Sequence, residues 1–122
     1  MVDDSKVMRE MIIACLRPVA GATFTHAASG LEAIEKLSRI KFDLAVLDLN
    51  MPDIGGLEVL EFVRGQDKLR ALPILVVTSR SDEASQAKAL GAGATRFMTK
   101  PFDARAILAE VSVLLASPPG AA

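Results

Sequence analysis

The stretch Pro73-Ile-Leu-Val-Val-Thr78 restricts the fold more than any other feature of this chain. It is a continuous apolar run, rich in β-branched residues and bounded by a proline and by polar residues, which reads as a strand. A strand with no polar alternation has to be covered on both faces, and that is the condition of a parallel sheet packed between helices. Asp43-Leu-Ala-Val-Leu-Asp48 repeats the pattern. Around these runs the apolar period changes to that of a helix. Met8, Met11, Ile12 and Cys15 form one stripe, and Leu31, Ile34 and Leu37 a second. Leu57, Leu60 and Val63 form a third, and Ala104, Ile107, Val111 and Leu114 a last one. The alanine-rich segment 82–90 makes a further helix, with Ser81 or Asp82 as its N-cap. Segments 22–28 (ATFTHAA) and 95–98 (TRFM) are weaker strands, and Met51-Pro-Asp-Ile-Gly-Gly56 breaks the pattern. The order α, β, α, β, α, β, α, β, α predicts an α/β domain, a doubly wound parallel sheet with helices on both faces. One element is short. Such a fold normally opens with a strand, and here only Met1 and Val2 precede Asp3-Asp4, so the first strand is nearly absent.

At 122 residues the chain is expected to be one domain with its own core, without disulfides. Residues 1–116 carry the folded pattern, and 117–122 (SPPGAA) read as a flexible tail. A net charge of −1 leaves no electrostatic footprint for nucleic acid or an anionic membrane. The lone Cys15 fits a reducing cytoplasm, and no run reaches membrane-spanning length. His26 has no second His or Cys to share a metal with and reads as a surface or loop residue. Gly91-Ala-Gly-Ala-Thr-Arg96 precedes a strand instead of following one, which excludes a dinucleotide loop.

In open α/β sheets ligands bind beyond the carboxyl ends of the strands. The short first strand would deliver Asp3 and Asp4 there, the second apolar run Asp48, Pro73–Thr78 its Thr78, and the last strand Lys100 followed by Pro101. Clustered carboxylates repel unless a cation sits among them, and an all-oxygen donor set points to a hard ion such as Mg²⁺. A carboxylate held beside Mg²⁺, an ammonium and a hydroxyl is suited to carry a phosphoryl group.

The segments VDDSKVMREM, VLDLNMPDIGGLEVL, ILVVTSRSDE and GAGATRFMTKPF together resemble the receiver domain of two-component response regulators, the family of the single-domain chemotaxis regulator. The resemblance implies a flavodoxin-like sheet of order 2-1-3-4-5. It implies Asp48 as phosphoacceptor, with Asp4 and Asp48 on Mg²⁺, Asp3 assisting through water and Asn50 lending its backbone carbonyl. Thr78 and Lys100 would contact the phosphoryl group, Thr78 and Phe97 would act as switch residues, and Lys100–Pro101 would be a cis peptide. Gly55 departs from the pattern, since the family often has Asp there. The implied partners are a sensor histidine kinase or a histidine phosphotransfer protein upstream and a protein target downstream. These residues hold no DNA-binding or enzymatic output domain. A rival from another class is a degenerate receiver, a scaffold or dimerisation module that never takes phosphate because its first strand is truncated. A phosphatase of the haloacid dehalogenase type would need an Asp two residues beyond the nucleophile, where Asn50 stands.

The short start carries a structural expectation of its own. Strands lie ~4.8 Å apart, so loss of the central one would leave a gap of ~10 Å with unpaired backbone groups on either side. Open strand edges and bare apolar surface would then favour a homodimer.

Overall fold

The computed structural model describes residues 1–51, 53–79 and 83–116. Along them run α1 (Lys6–Leu16), α2 (Gly30–Arg39), β1 (Ala45–Leu47), α3 (Gly56–Gly65), β2 (Ile74–Thr78), α4 (Glu83–Ala92), β3 (Arg96–Thr99) and α5 (Ala104–Ala116). The three strands form one parallel sheet in the order β1-β2-β3. Residue alternation along the strands sorts the core into two layers. Ala45, Leu47, Ile74 and Val76 face a cluster with Leu37 of α2, Leu60 and Val63 of α3 and Ala89 of α4. Val46, Leu75 and Val77 face Ile12 and Leu16 of α1 and Ile107, Val111 and Leu114 of α5. Every residue of β2 is buried, as its unbroken apolar run demands. Each such side chain contributes roughly 1.5–3 kcal/mol through burial.

The first-strand slot is filled, though not by a strand. Val2 bridges Ala27 on one side and Leu47 on the other, both in parallel sense. Its amide donates to the Val46 carbonyl (2.8 Å) and its carbonyl accepts from the Asp48 amide (2.9 Å). On the opposite edge the Ala27 amide donates to the Met1 carbonyl (2.8 Å), and the Asp3 amide to the Ala27 carbonyl (3.1 Å). At this level, therefore, the expected gap with unpaired backbone does not exist. Three consecutive residues complete both ladders, Val2 towards residues 46–48 and its neighbours Met1 and Asp3 towards Ala27, because in parallel pairing one residue bonds on one side and its neighbours on the other. The expected strand over 22–28 reduces likewise to the single bridge at Ala27. Its flanking residues 22–26 stay exposed or half-buried and offer no buried face to propagate pairing. Below Val2, towards the amino ends of the strands, the slot opens into a cavity of about 410 Å³ lined by Met1, Leu16, Phe24, Leu44, Val46 and Val111, among others.

Helix ends and faces follow local chemistry. Ser5 Oγ accepts from the Met8 amide at the start of α1, and Ser29 Oγ from the Glu32 amide at the start of α2. The proposed caps Ser81 and Asp82 lie outside the described residues, as does the tail 117–122. Two stripes shift from the expected faces. Met11 and Leu31 are exposed, while Ile13, Leu16 and Arg9 of α1 and Ala33 of α2 are buried. At the amino ends of β2 and β3, Arg64 on α3 gathers the loops. Its guanidinium donates to the carbonyls of Gly93 (2.8 Å), Arg70 (2.9 Å) and Leu72 (2.7 Å). Gly93 lies at φ +115°, and a Cβ there would strike Arg64 Cγ at 2.4 Å, so a larger residue is opposed by both backbone and space.

Candidate functional site at the carboxyl rim

The carboxyl ends of the strands bring the acidic residues together. One carboxylate oxygen from each of Asp3, Asp4 and Asp48 lies within 4.8 Å of the others. Asp3 and Asp48 are buried, and Asp4 is exposed. Lys100 reaches this group from the loop after β3, with Nζ 2.8 Å from Asp3 Oδ2 and 3.5 Å from Asp48 Oδ2. Among the described residues it is the only ammonium paired with these acids. Two of the three carboxylates are buried and share the Lys100 ammonium, and a further cation would offset their mutual repulsion. The donor set is all oxygen and fits a hard divalent ion.

The backbone aims these groups. Leu47 pairs with Val76 and Thr78 with Thr99, so Asp48, Thr78 and Lys100 leave adjacent strand ends. Thr78 is fully buried, and its carbonyl accepts from the Lys100 amide (2.8 Å). The Lys100–Pro101 peptide is cis. The Asn50 amide donates to Asp48 Oδ1 (3.3 Å) and keeps the turn after β1 close to the rim. Gly56 is required here, because a Cβ would lie 2.5 Å from the Asp48 carbonyl oxygen. Gly55, by contrast, has room for a side chain and leaves α3 without a side-chain cap. Phe97 lies on β3. It is half-buried and packs against the cluster on the α2–α4 face.

Two polar residues that periodicity did not single out support the rim. Asp53, in the turn after β1, accepts from the amides of Gly30 and Leu31 at the start of α2 (3.0 Å each). Those bonds, Leu31's foremost, hold its carboxyl below the usual range. Arg9 is buried on α1 beneath the acidic pair and donates to the Asp3 carbonyl (2.5 Å). A charged residue one turn ahead of Ile12 and Ile13, on a face that should be apolar, was the available signal for Arg9.

The response regulator receiver domain family matches residues 1–112. The chain belongs to the receiver family. The receiver is 34% identical over 107 residues to the chemotaxis protein CheY of Pseudomonas aeruginosa, covering 88% of this chain and 86% of that one. It is 32% identical to the transcriptional regulatory protein GltR of the same organism, covering 94% of this chain but only 47% of the regulator, so it spans about half of that relative. Among solved structures, the chemotaxis response regulator CheY4 of Vibrio cholerae superposes with a TM-score of 0.85 at 33% identity, covering 93% of each chain. The signal receiver domain of a histidine kinase from Syntrophus aciditrophicus gives 0.85 at 31% identity, covering 94% of this chain and 86% of that one. The receiver fold is thus shared with proteins of differing overall organisation. No helix among the described residues is long and apolar enough to cross a membrane.

Proposed function

We propose that residues 1–116 form a phosphoacceptor switch, not an enzyme, that takes a phosphoryl group on Asp48 in a cytoplasmic two-component relay. The observation that carries this reading is the group of three acidic side chains with Lys100 Nζ between Asp3 and Asp48. An Asp48 carboxylate oxygen would attack the phosphorus of a phosphohistidine on a sensor kinase or a phosphotransfer protein. The O–P bond forms as the P–N bond breaks, and the imidazole leaves with the electron pair. Asp4 and Asp48, the Asn50 carbonyl and, through water, Asp3 would hold Mg²⁺. The ion would supply the positive charge that lets anionic donor and carboxylate approach. Lys100 would exchange part of its bonding to Asp3 for a phosphoryl oxygen, and Thr78 would donate its hydroxyl to another. That exchange, with Thr78 and Phe97 as the responding residues, would shift a two-state equilibrium and expose a face to a downstream protein. No part of the proposal requires nucleic acid or a membrane.

The test is labelling by a small acyl-phosphate donor with Mg²⁺, followed by intact mass. One phosphoryl group on the wild type and none on Asp48→Asn is the expected result. Equal labelling of both proteins would remove Asp48 as acceptor. No labelling of either, without saturable Mg²⁺ binding, would favour the scaffold alternative. Lys100→Ala separates the roles further: it should keep most of the Mg²⁺ affinity and lose the conformational response to phosphorylation.

A further inference from the structure

We propose that Arg9 is a positioning residue of the acidic site, clamped in place by the imidazole of His26, and that together they fix the relative aim of Asp3 and Asp4. The proposal rests on the Mg²⁺ reading above. Its ground is the way the acidic pair is anchored. In front of the pair Val2 bridges Ala27 and Leu47, and the Met1 carbonyl accepts from the Ala27 amide. The Asp3 amide is tied to the Ala27 carbonyl, and Asp3 Oδ1 accepts from the Ser5 amide (2.9 Å). What remains free to rotate is the peptide between Asp3 and Asp4. Its carbonyl is the group that Arg9 Nη1 holds at 2.5 Å. Pinning this oxygen fixes ψ of Asp3 and φ of Asp4, the two angles that set one carboxylate against the other.

The guanidinium is unusual in its partners. Among the described residues it has no carboxylate, and its Nε donates to His26 Nδ1 (3.1 Å). A buried guanidinium that donates to a carbonyl and an imidazole is held there by direction more than by charge. Burial first, and the nearby Arg9 charge next, hold the imidazole below its ordinary range, which leaves Nδ1 able to accept at neutral pH. His26 is anchored in turn: its carbonyl accepts from Lys36 Nζ on α2, and Lys36 pairs with Glu32 (2.9 Å). The lone histidine lies in a loop, half-buried, and its side chain has a partner that the sequence did not indicate. It links α2, through Arg9, to the peptide joining the two acids.

Calorimetric Mg²⁺ titration of the whole chain tests this, with far-UV circular dichroism confirming that each variant is folded at the titration temperature. Arg9→Met should weaken Mg²⁺ binding about tenfold, the lower end for lost outer partners of metal ligands. His26→Leu, which frees the guanidinium, should weaken it about threefold, whereas His26→Asn offers an amide oxygen to Nε–H and should restore binding. The double variant Arg9→Met/His26→Leu should bind no more weakly than Arg9→Met alone, because His26 acts only through Arg9. An independent signature is the Arg9 Nε–H proton, slow to exchange in the wild type and in His26→Asn and fast in His26→Leu. If the wild type binds Mg²⁺ and Arg9→Met binds it within about twofold, or if the double variant is additive, the positioning role is wrong. If Arg9→Met does not fold, equal affinities in His26→Leu and His26→Asn overturn the proposal by themselves. A wild type that does not bind Mg²⁺ overturns the Mg²⁺ reading, and the inference falls with it.

Discussion

The two ends of the first-strand slot are built to opposite standards. At the carboxyl end Asp3 is held by its amide, its carbonyl and both carboxylate oxygens, through Ala27, Arg9, Ser5 and Lys100. At the amino end a cavity of about 410 Å³ is lined by Met1, Phe24, Leu44 and Val46 among others. The comparison teaches that the aim of a short acidic segment need not come from a long strand. Side chains from α1 and from the loop after β3 supply the anchors. The same end of the sheet shows what a finished amino end looks like two strands away, where Arg64 closes the loops into β2 and β3.

The largest expected effect is at that closure. Arg64→Met removes donors from carbonyls of residues 70, 72 and 93 together and should cost about 3 kcal/mol in chemical unfolding, by loss of hydrogen bonds to a charged group. A loss below ~1 kcal/mol would mean that water replaces the guanidinium freely and that the two amino ends are equally loose.

Next comes the open cavity. Joining four β-branched apolar residues ahead of Met1 should extend the ladder beside β1 and cover Phe24, Leu44 and Val46. Burial offset by the cost of ordering leaves a gain of about 2 kcal/mol, read as a rise in melting temperature of several degrees. Because Asp3 is already pinned by four contacts, Mg²⁺ affinity should change by less than about twofold. A tenfold gain in affinity would show instead that a longer strand, and not these contacts, sets the aim of the acids. Sedimentation of both forms would also test the homodimer expected from the short start.

Asp53 sharpens the comparison on the rim side. Its folded-state pKa is depressed below the ordinary value of 3.8, so it contributes stability that is present above that value and lost as pH falls through the folded pKa. Asp53→Asn should therefore be less stable than wild type at pH 7, with the difference shrinking on acidification below the ordinary carboxylate range. A difference independent of pH would show that the loss is one of shape and not of charge. The smallest effect is expected at Gly55, which lies in extended backbone (φ −65°, ψ 157°) at the N-cap of α3. Gly55→Asp should add a few tenths of a kcal/mol by capping, without reaching the acidic group's bonding pattern.

Much of this was legible in the residues, for reasons that differ from place to place. Ile74–Thr78 could be only a doubly covered strand, because a run with no polar face has no other stable environment. Alternation of such runs with helical stripes fixed the parallel, layered architecture, since each crossover must return along the sheet. Asp3, Asp4, Asp48 and Lys100 were legible as one group because strand ends in a parallel sheet share a rim. Tertiary structure alone decided the rest. Whether a strand is a strand at residues 2 and 27 depends on neighbours far along the chain, and single bridges leave no periodic trace. Met11 and Leu31 turned outward because the faces of α1 and α2 are set by what the sheet offers, not by the helix's own count of apolar residues. Arg64 looks, in sequence, like an ordinary surface charge, and Arg9 is marked only by its helical spacing from Ile12 and Ile13. Their roles arise from carbonyls that only folding brings within reach, at sequence separations that no local pattern encodes.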